Sequence, residues 1–236
     1  VRRIARDIRA ALPNSLRVSA DGQALELLLL ADGGRYRATP GVNPNGEIHL
    51  TPEHWLTFLP DDSFNITGRL HRLNVAYGDT LPSNFRLAVY TVDNPQLWSD
   101  AAANNNDGVI TAAGNTMTLT DSNDEDQIFL QNAHQFPTLS PENRAYVVAG
   151  AVQYRCDNGE LTRYENFSAS AAMQLPSDGD SAVLADLIDQ CDFSYNEGSL
   201  SRWGVAMLNI GMRADKEVGA AEPLRILHQV HVENTP

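Results

Sequence analysis

Cys156 and Cys191 are the only thiols in this 236-residue chain. No C-x-x-C pair and no third cysteine exist to build a zinc site. Two readings stand: a pair of buried free thiols, or a disulfide made in an oxidising compartment, which is the favoured one. Closing a loop of that length stabilises a fold by about 4 kcal/mol in the chain-entropy account. The segment Asp121-Ser122-Asn123-Asp124-Glu125-Asp126 sets oxygen ligands at alternate positions, as a calcium loop begins. The EF-hand pattern then fails, because Asp126 stands where the loop needs Gly and Asn132 where it needs Glu. An irregular calcium site at Asp121, Asn123 and Glu125 is the lesser reading beside a solvated turn between strands. The run Asn104-Asn105-Asn106-Asp107-Gly108 is explained by turn chemistry alone.

The remaining chemistry-bearing residues are scattered. His228 and His231 are three apart on an expected strand and face opposite ways, and His49 and His54 sit in a polar loop, so surface histidines are expected rather than metal ligands. Trp55, Trp98 and Trp203 could stack sugars, but tryptophans far apart in sequence more often cap a core edge or an interface. There is no G-x-S-x-G, no H-E-x-x-H and no phosphate-cradling glycine loop. Thirty acidic residues offer many carboxylate pairs, and nothing in their spacing selects one. A protein without enzymatic activity or cofactor is expected.

Charge narrows the partners. The formal net charge is −13, which speaks against a nucleic-acid binder. It is uneven: Arg2, Arg3, Arg6, Arg9 and Arg17 stand against Asp7 alone at the start of the chain. Hydrophobic residues make up 42% and charged residues 20%, ordinary values for a folded protein. No window approaches the roughly 18 apolar residues of a membrane span, and no secretory signal is present. The chain begins with Val, so a processed or truncated start is expected.

The elements that must position these residues fall into two languages. Val1, Ile4, Ala5, Ile8, Ala11 and Leu12 recur at helical spacing, with Arg2, Arg3, Arg6, Asp7 and Arg9 between them. That pattern predicts an amphipathic helix stopping at Pro13-Asn14-Ser15, and the lack of a start signal predicts the C-terminal end of a longer one. Strands follow. Leu16–Ala20 and Gln23–Ala31 flank an Asp21-Gly22 turn, and Asp32-Gly33-Gly34 is expected to turn again. Residues 39–60 read as a loop with one short element near His54. Further strands are expected at 64–67, 69–76, 85–92, 116–120 and 127–131. A hairpin is expected around Cys156-Asp157-Asn158-Gly159, and a short helix over 181–190, with Val183, Leu184, Leu187 and Ile188 on one side. Closing strands are expected at 191–195, 205–212 and 224–232. The whole reads as one α+β domain over 1–236. Residues 1–13 end an N-terminal helix that packs on a largely antiparallel sheet, and 14–236 form a β-rich head.

Three stretches carry a resemblance. Arg3-Ile4-Ala5-Arg6-Asp7-Ile8-Arg9-Ala10-Ala11-Leu12-Pro13-Asn14-Ser15 resembles the end of the long N-terminal helix of type IV pilin-like minor subunits. The segment from Val183 to Tyr195 resembles one shared with J-type minor pseudopilins of type II secretion. The ending from Leu227 to Pro236 is similar to MshO-type minor pilins of the mannose-sensitive haemagglutinin pilus, and the Cys156/Cys191 pair fits that type. Residues 39–140 carry no quotable match. The resemblance implies a pilin-like fold and a hydrophobic helical segment upstream of Val1. It implies a minor subunit without enzymatic activity, priming filament assembly near the tip. The head would be periplasmic and anchored to the inner membrane before assembly, and on the extracellular pilus after it. The partners implied are other minor pilins or pseudopilins and the major pilin. In that setting Val1, Ile4, Ile8 and Leu12 fix the helix to the head. Arg2, Arg3, Arg6 and Arg9 either form a solvated face or meet acidic neighbours and lipid headgroups. The alternative is a secreted or tip-borne adhesin for a glycan or surface polymer.

Overall fold

From Arg17 onward, stretches of apolar side chains alternate with polar ones at the period of a strand. A computed structural model describes the chain except at residues 43–45, 47, 50, 52–53, 104, 123, 198–202, 214–222 and 233–236. The expected calcium ligand Asn123, the opening residue Asn104 of the asparagine run, and the last residues of the C-terminal motif lie outside the described residues. In chain order the elements are α1 (Arg2–Arg9), β1 (Arg17–Val18), β2 (Ala24–Arg35), β3 (Gly41–Val42), β4 (Ile48–His49), β5 (Asp61–Ile66) and β6 (Arg86–Val89). They continue with α2 (Asn94–Ala102), β7 (Met117–Ser122), β8 (Glu125–His134), β9 (Arg144–Asp157) and β10 (Glu160–Phe167). The last are β11 (Asp180–Ala185), β12 (Ile188–Asn196), β13 (Gly204–Met212) and β14 (Leu224–Val232).

This overturns the α+β, pilin-like expectation. Strand accounts for 50% of the described residues and helix for 9%, and both helices are short. β1-β2-β9-β10-β11 form one sheet, with β6 also paired to β9. β12-β13-β14 form a second, β5-β8-β7 a third, and β3 pairs with β4 alone. No long N-terminal helix defines the fold; α1 has eight residues. The expected helix over 181–190 is β11 and the opening of β12 instead. Its short apolar run matches either period, and Leu187 at φ 57° turns the chain between the two strands. Among the described residues no helix is long and apolar enough to cross a membrane.

The chain divides into two compact units, one of Val1–Leu29 with the chain from Ala151 onward, the other of Leu30–Gly150. In the first, Ile4 and Ile8 of α1 share a core with Leu25, Leu27, Tyr154, Phe193, Leu208 and Val230. Alternation is plain in β13, where Ala206, Leu208 and Ile210 are buried and Met207 between them is exposed. In the second, Phe64, Ile66, Leu87, Val89, Ile128 and Val147 lie in another core. The strand expected over 69–76 is irregular there, whereas β2 runs straight through the expected turn at Asp32-Gly33-Gly34. A Cβ on Gly34 would lie 2.5 Å from Ile66 Cγ2, so these glycines serve close approach rather than a turn. α2 was not legible as a helix from its apolar spacing. Its Asp93 cap accepts from Gln96 N at 3.2 Å with Pro95 in the first turn, and Arg86 from β6 donates to Ala101 O at 2.6 Å at its other end.

Candidate functional site

The N-terminal helix separates two chemistries. Ile4 and Ile8 are 0% and 1% exposed, Leu12 is fully buried, and Val1 packs partly buried against the same core. The helix ends well before Pro13. Ala11 bridges Leu29, and Leu12 N donates to Leu28 O at 2.8 Å, so the chain peels off into sheet pairing, as suits a residue before proline. Arg2, Arg3, Arg6 and Arg9 are all exposed. Arg6 and Arg9 occupy the last turn, where positive charge meets the negative end of the helix dipole. Arg6 Nε lies 3.5 Å from Asp7 Oδ1. Among the described residues Arg2, Arg3 and Arg9 meet no carboxylate.

The helical pattern sets Asp7 with the arginines between the apolar positions, and the structure buries it. The Tyr154 hydroxyl donates to Asp7 Oδ2 at 2.7 Å, and Arg163 Nε donates to the same oxygen at 3.1 Å. Arg163 also pairs with Glu165 and lies over the Tyr154 ring, 5.9 Å from its centroid. Burial, then the hydrogen bond to Asp7 and its charge, push the Tyr154 phenol above its usual range, so it stays a neutral donor. Burial pulls the Arg163 guanidinium down, but its bonds to Glu165 and Tyr154 and the nearby Asp7 charge outweigh that and hold it up. An ionic pin thus fastens the helix from within while its arginines face out. The signal was available: Asp7 follows Ile4 by three residues, which sets it beside Ile4 at the margin of the apolar stripe.

Cys156 of β9 and Cys191 of β12 form a disulfide with Cα atoms 6.2 Å apart, tying two sheets together within the first unit. Beside it Asn158 and Gly159 take φ 51° and 83°, a two-residue turn that the Asn-Gly pair announces. A cleft of ≈ 320 Å³ opens there, lined by Asp21, Gln23, Arg155, Asp157, Asp189 and Gln190 among others. Ser19 and the Gln23 N–H both donate to Asp21, holding its carboxyl below the usual range.

The described acidic residues lie where β7 and β8 pair, with Asp121 opposite Asp126 and Ser122 opposite Glu125. Arg69 Nη2 donates to Asp121 at 2.8 Å and Arg69 Nη1 to Asp126 at 3.0 Å. Glu125 pairs with Arg37 and accepts from Asn65 Nδ2 at 2.8 Å. Guanidinium groups therefore occupy the carboxylates of Asp121 and Glu125. Among the described residues no group of three or more His, Cys, Asp or Glu side chains gathers as metal ligands. His228 sits opposite Leu208 and His231 opposite Val205, on alternate faces of β14. Trp98 is fully buried and Trp55 half-buried, while Trp203 is 64% exposed with its ring edge-on to His231 at 6.1 Å. No family model, curated protein or solved structure matches the chain.

Proposed function

We propose that this chain is a non-enzymatic minor subunit of a type IV pilus-like filament, of the mannose-sensitive haemagglutinin kind, which primes assembly by protein–protein packing. The fold does not carry this reading. Its support is the sequence resemblance together with one observation: an eight-residue helix pinned inside by Ile4, Asp7 and Ile8 presents four arginines outward on a chain of net charge −13. A buried pin and an exposed cationic face suit a contact with an acidic neighbour, where charge sets orientation and encounter rate. The partners are the other minor subunits and the major subunit, with the inner membrane engaged through an upstream helix. The disulfide suits a protein exposed outside the cytoplasm. The test is sedimentation of the chain mixed with each minor subunit encoded beside it. A complex weakened by the Arg2→Glu, Arg3→Glu double variant supports the reading. No complex with any of them, or one indifferent to that reversal, overturns it.

A second reading, a tip-borne module binding a glycan, rests on exposed Trp203, whose ring lies edge-on to His231 of β14. Tryptophan fluorescence titrated with oligosaccharides tests it. Quenching lost in Trp203→Ala supports it, and unchanged emission across the panel removes it.

A further inference from the structure

Two strand edges of the first unit are unlike each other. β14 is the outer strand of its three-stranded sheet and pairs with β13 without a register break from Leu224 to Val232. Among the described residues nothing pairs with its other side. Leu224 and Leu227 are 56% and 68% exposed, and Arg225 is the only formal charge of the strand. β11 is the outer strand of the six-stranded sheet. It exposes Val183 and Leu184, begins at Asp180 and is followed by Asp186, with no basic residue from Asp178 to Asp189.

Unpaired N–H and C=O groups on an exposed edge are a template for another strand, and proteins guard such edges with bulges and charge. β11 has both, but its register with β10 breaks only between Leu161 and Thr162, leaving Asp180–Val183 regular, and its acidic charge turns away strands that bring no positive charge rather than one that carries an arginine. β14 has no bulge and only its one arginine. We propose that a second copy of this chain docks edge to edge, the β14 edge of one copy pairing with the β11 edge of the next. Charge favours this arrangement: Arg225 meets an acidic apolar edge, whereas β14 on β14 offers it no acidic partner. The short regular stretch of β11 and the repulsion between two chains of −13 keep the contact weak. Because the two edges differ, the contact is heterologous and extends into open chains rather than closing as a dimer. It needs only these two edges and does not depend on the pilus reading.

Sedimentation velocity over a concentration series tests it with wild type, Arg225→Glu, Asp180→Arg and an equimolar mixture of the two variants, circular dichroism confirming that each is folded. The expected result is a wild-type sedimentation coefficient that climbs with concentration past that of two copies. Each variant alone associates about tenfold more weakly, since like charges then face each other. The mixture recovers, because every β14 edge again finds an opposite β11 edge. A monomeric wild type, association that stops at two copies, variants that associate as before, or a mixture that fails to recover would each overturn the proposal.

Discussion

His134 is fully buried in the second unit, its Nε2 2.9 Å from Gly108 O and its Nδ1 without a partner among the described residues. Burial pushes its pKa below the usual histidine value; the Gly108 carbonyl and the Asp107 and Asp100 charges oppose this, and Arg86 adds to it. The unfolded chain therefore takes up a proton near pH ~6.5, before the folded one does. His134 contributes stability that is present above that pH and lost as pH falls. Melting temperature should drop between about pH 7 and pH 5.5 in the wild type and less in His134→Gln; equal drops would refute the assignment. In the first unit the buried Asp7 pin makes its own prediction. Asp7→Ala strands Tyr154 and part of Arg163 and should cost about 3 kcal/mol in urea unfolding, and Tyr154→Phe about 1.5 kcal/mol. A loss under about 0.5 kcal/mol for Asp7→Ala would place the charge in solvent instead. Single residues of this kind were poorly legible in the sequence. Asp7 read as one more polar residue of a helix, because only the position of β9 and β10 beneath it reveals its partners. Asp121 and Glu125 read as a solvated turn, with calcium the lesser reading, because their guanidinium partners Arg69 and Arg37 are far away along the chain.

At the scale of elements, legibility tracked the distance over which a signal acts. The Asn158-Gly159 and Asp21-Gly22 turns and the closing strands β13 and β14 were readable, because turn residues and alternation act locally. β11 was misread as a helix and 69–76 as a strand, since a short apolar run takes its conformation from what it packs against. α2 is not legible although Asp93-Asn94-Pro95 is a start signal, because its buried Leu97, Trp98 and Ala101 make a single helical turn of apolar positions, too short to establish a period. The disulfide joins β9 to β12 across a sequence separation of 35. Replacing both cysteines with serine should lower unfolding stability by about 4 kcal/mol. Mass spectrometry without reductant should find no alkylatable thiol, and finding two would contradict the pairing. Ile8→Ala should cost roughly 2–5 kcal/mol, since Ile8 is 1% exposed and joins the helix to the sheet core.

For the whole molecule, charge is the organising quantity. A chain of −13 keeps exposed arginines at α1, and the functional proposal is that this face pairs with acidic neighbours. If so, raising salt should weaken binding to those neighbours as it screens the arginine face, and Arg2→Glu with Arg3→Glu should remove most of that salt dependence. Binding that strengthens with salt would identify an apolar contact instead. The overall class was the least legible feature. An amphipathic start and a strand-rich remainder imply helix on sheet, yet what a short helix packs against, and how many strands share its core, depends on pairings between residues far apart. The most direct test of the central claim is to read the coding sequence immediately upstream of Val1. A minor subunit of a pilus-like filament predicts a short basic leader, a processing junction with a glutamate soon after it, and about 20 apolar residues leading into α1. A cleavable secretory signal ending at a small-residue site would contradict it.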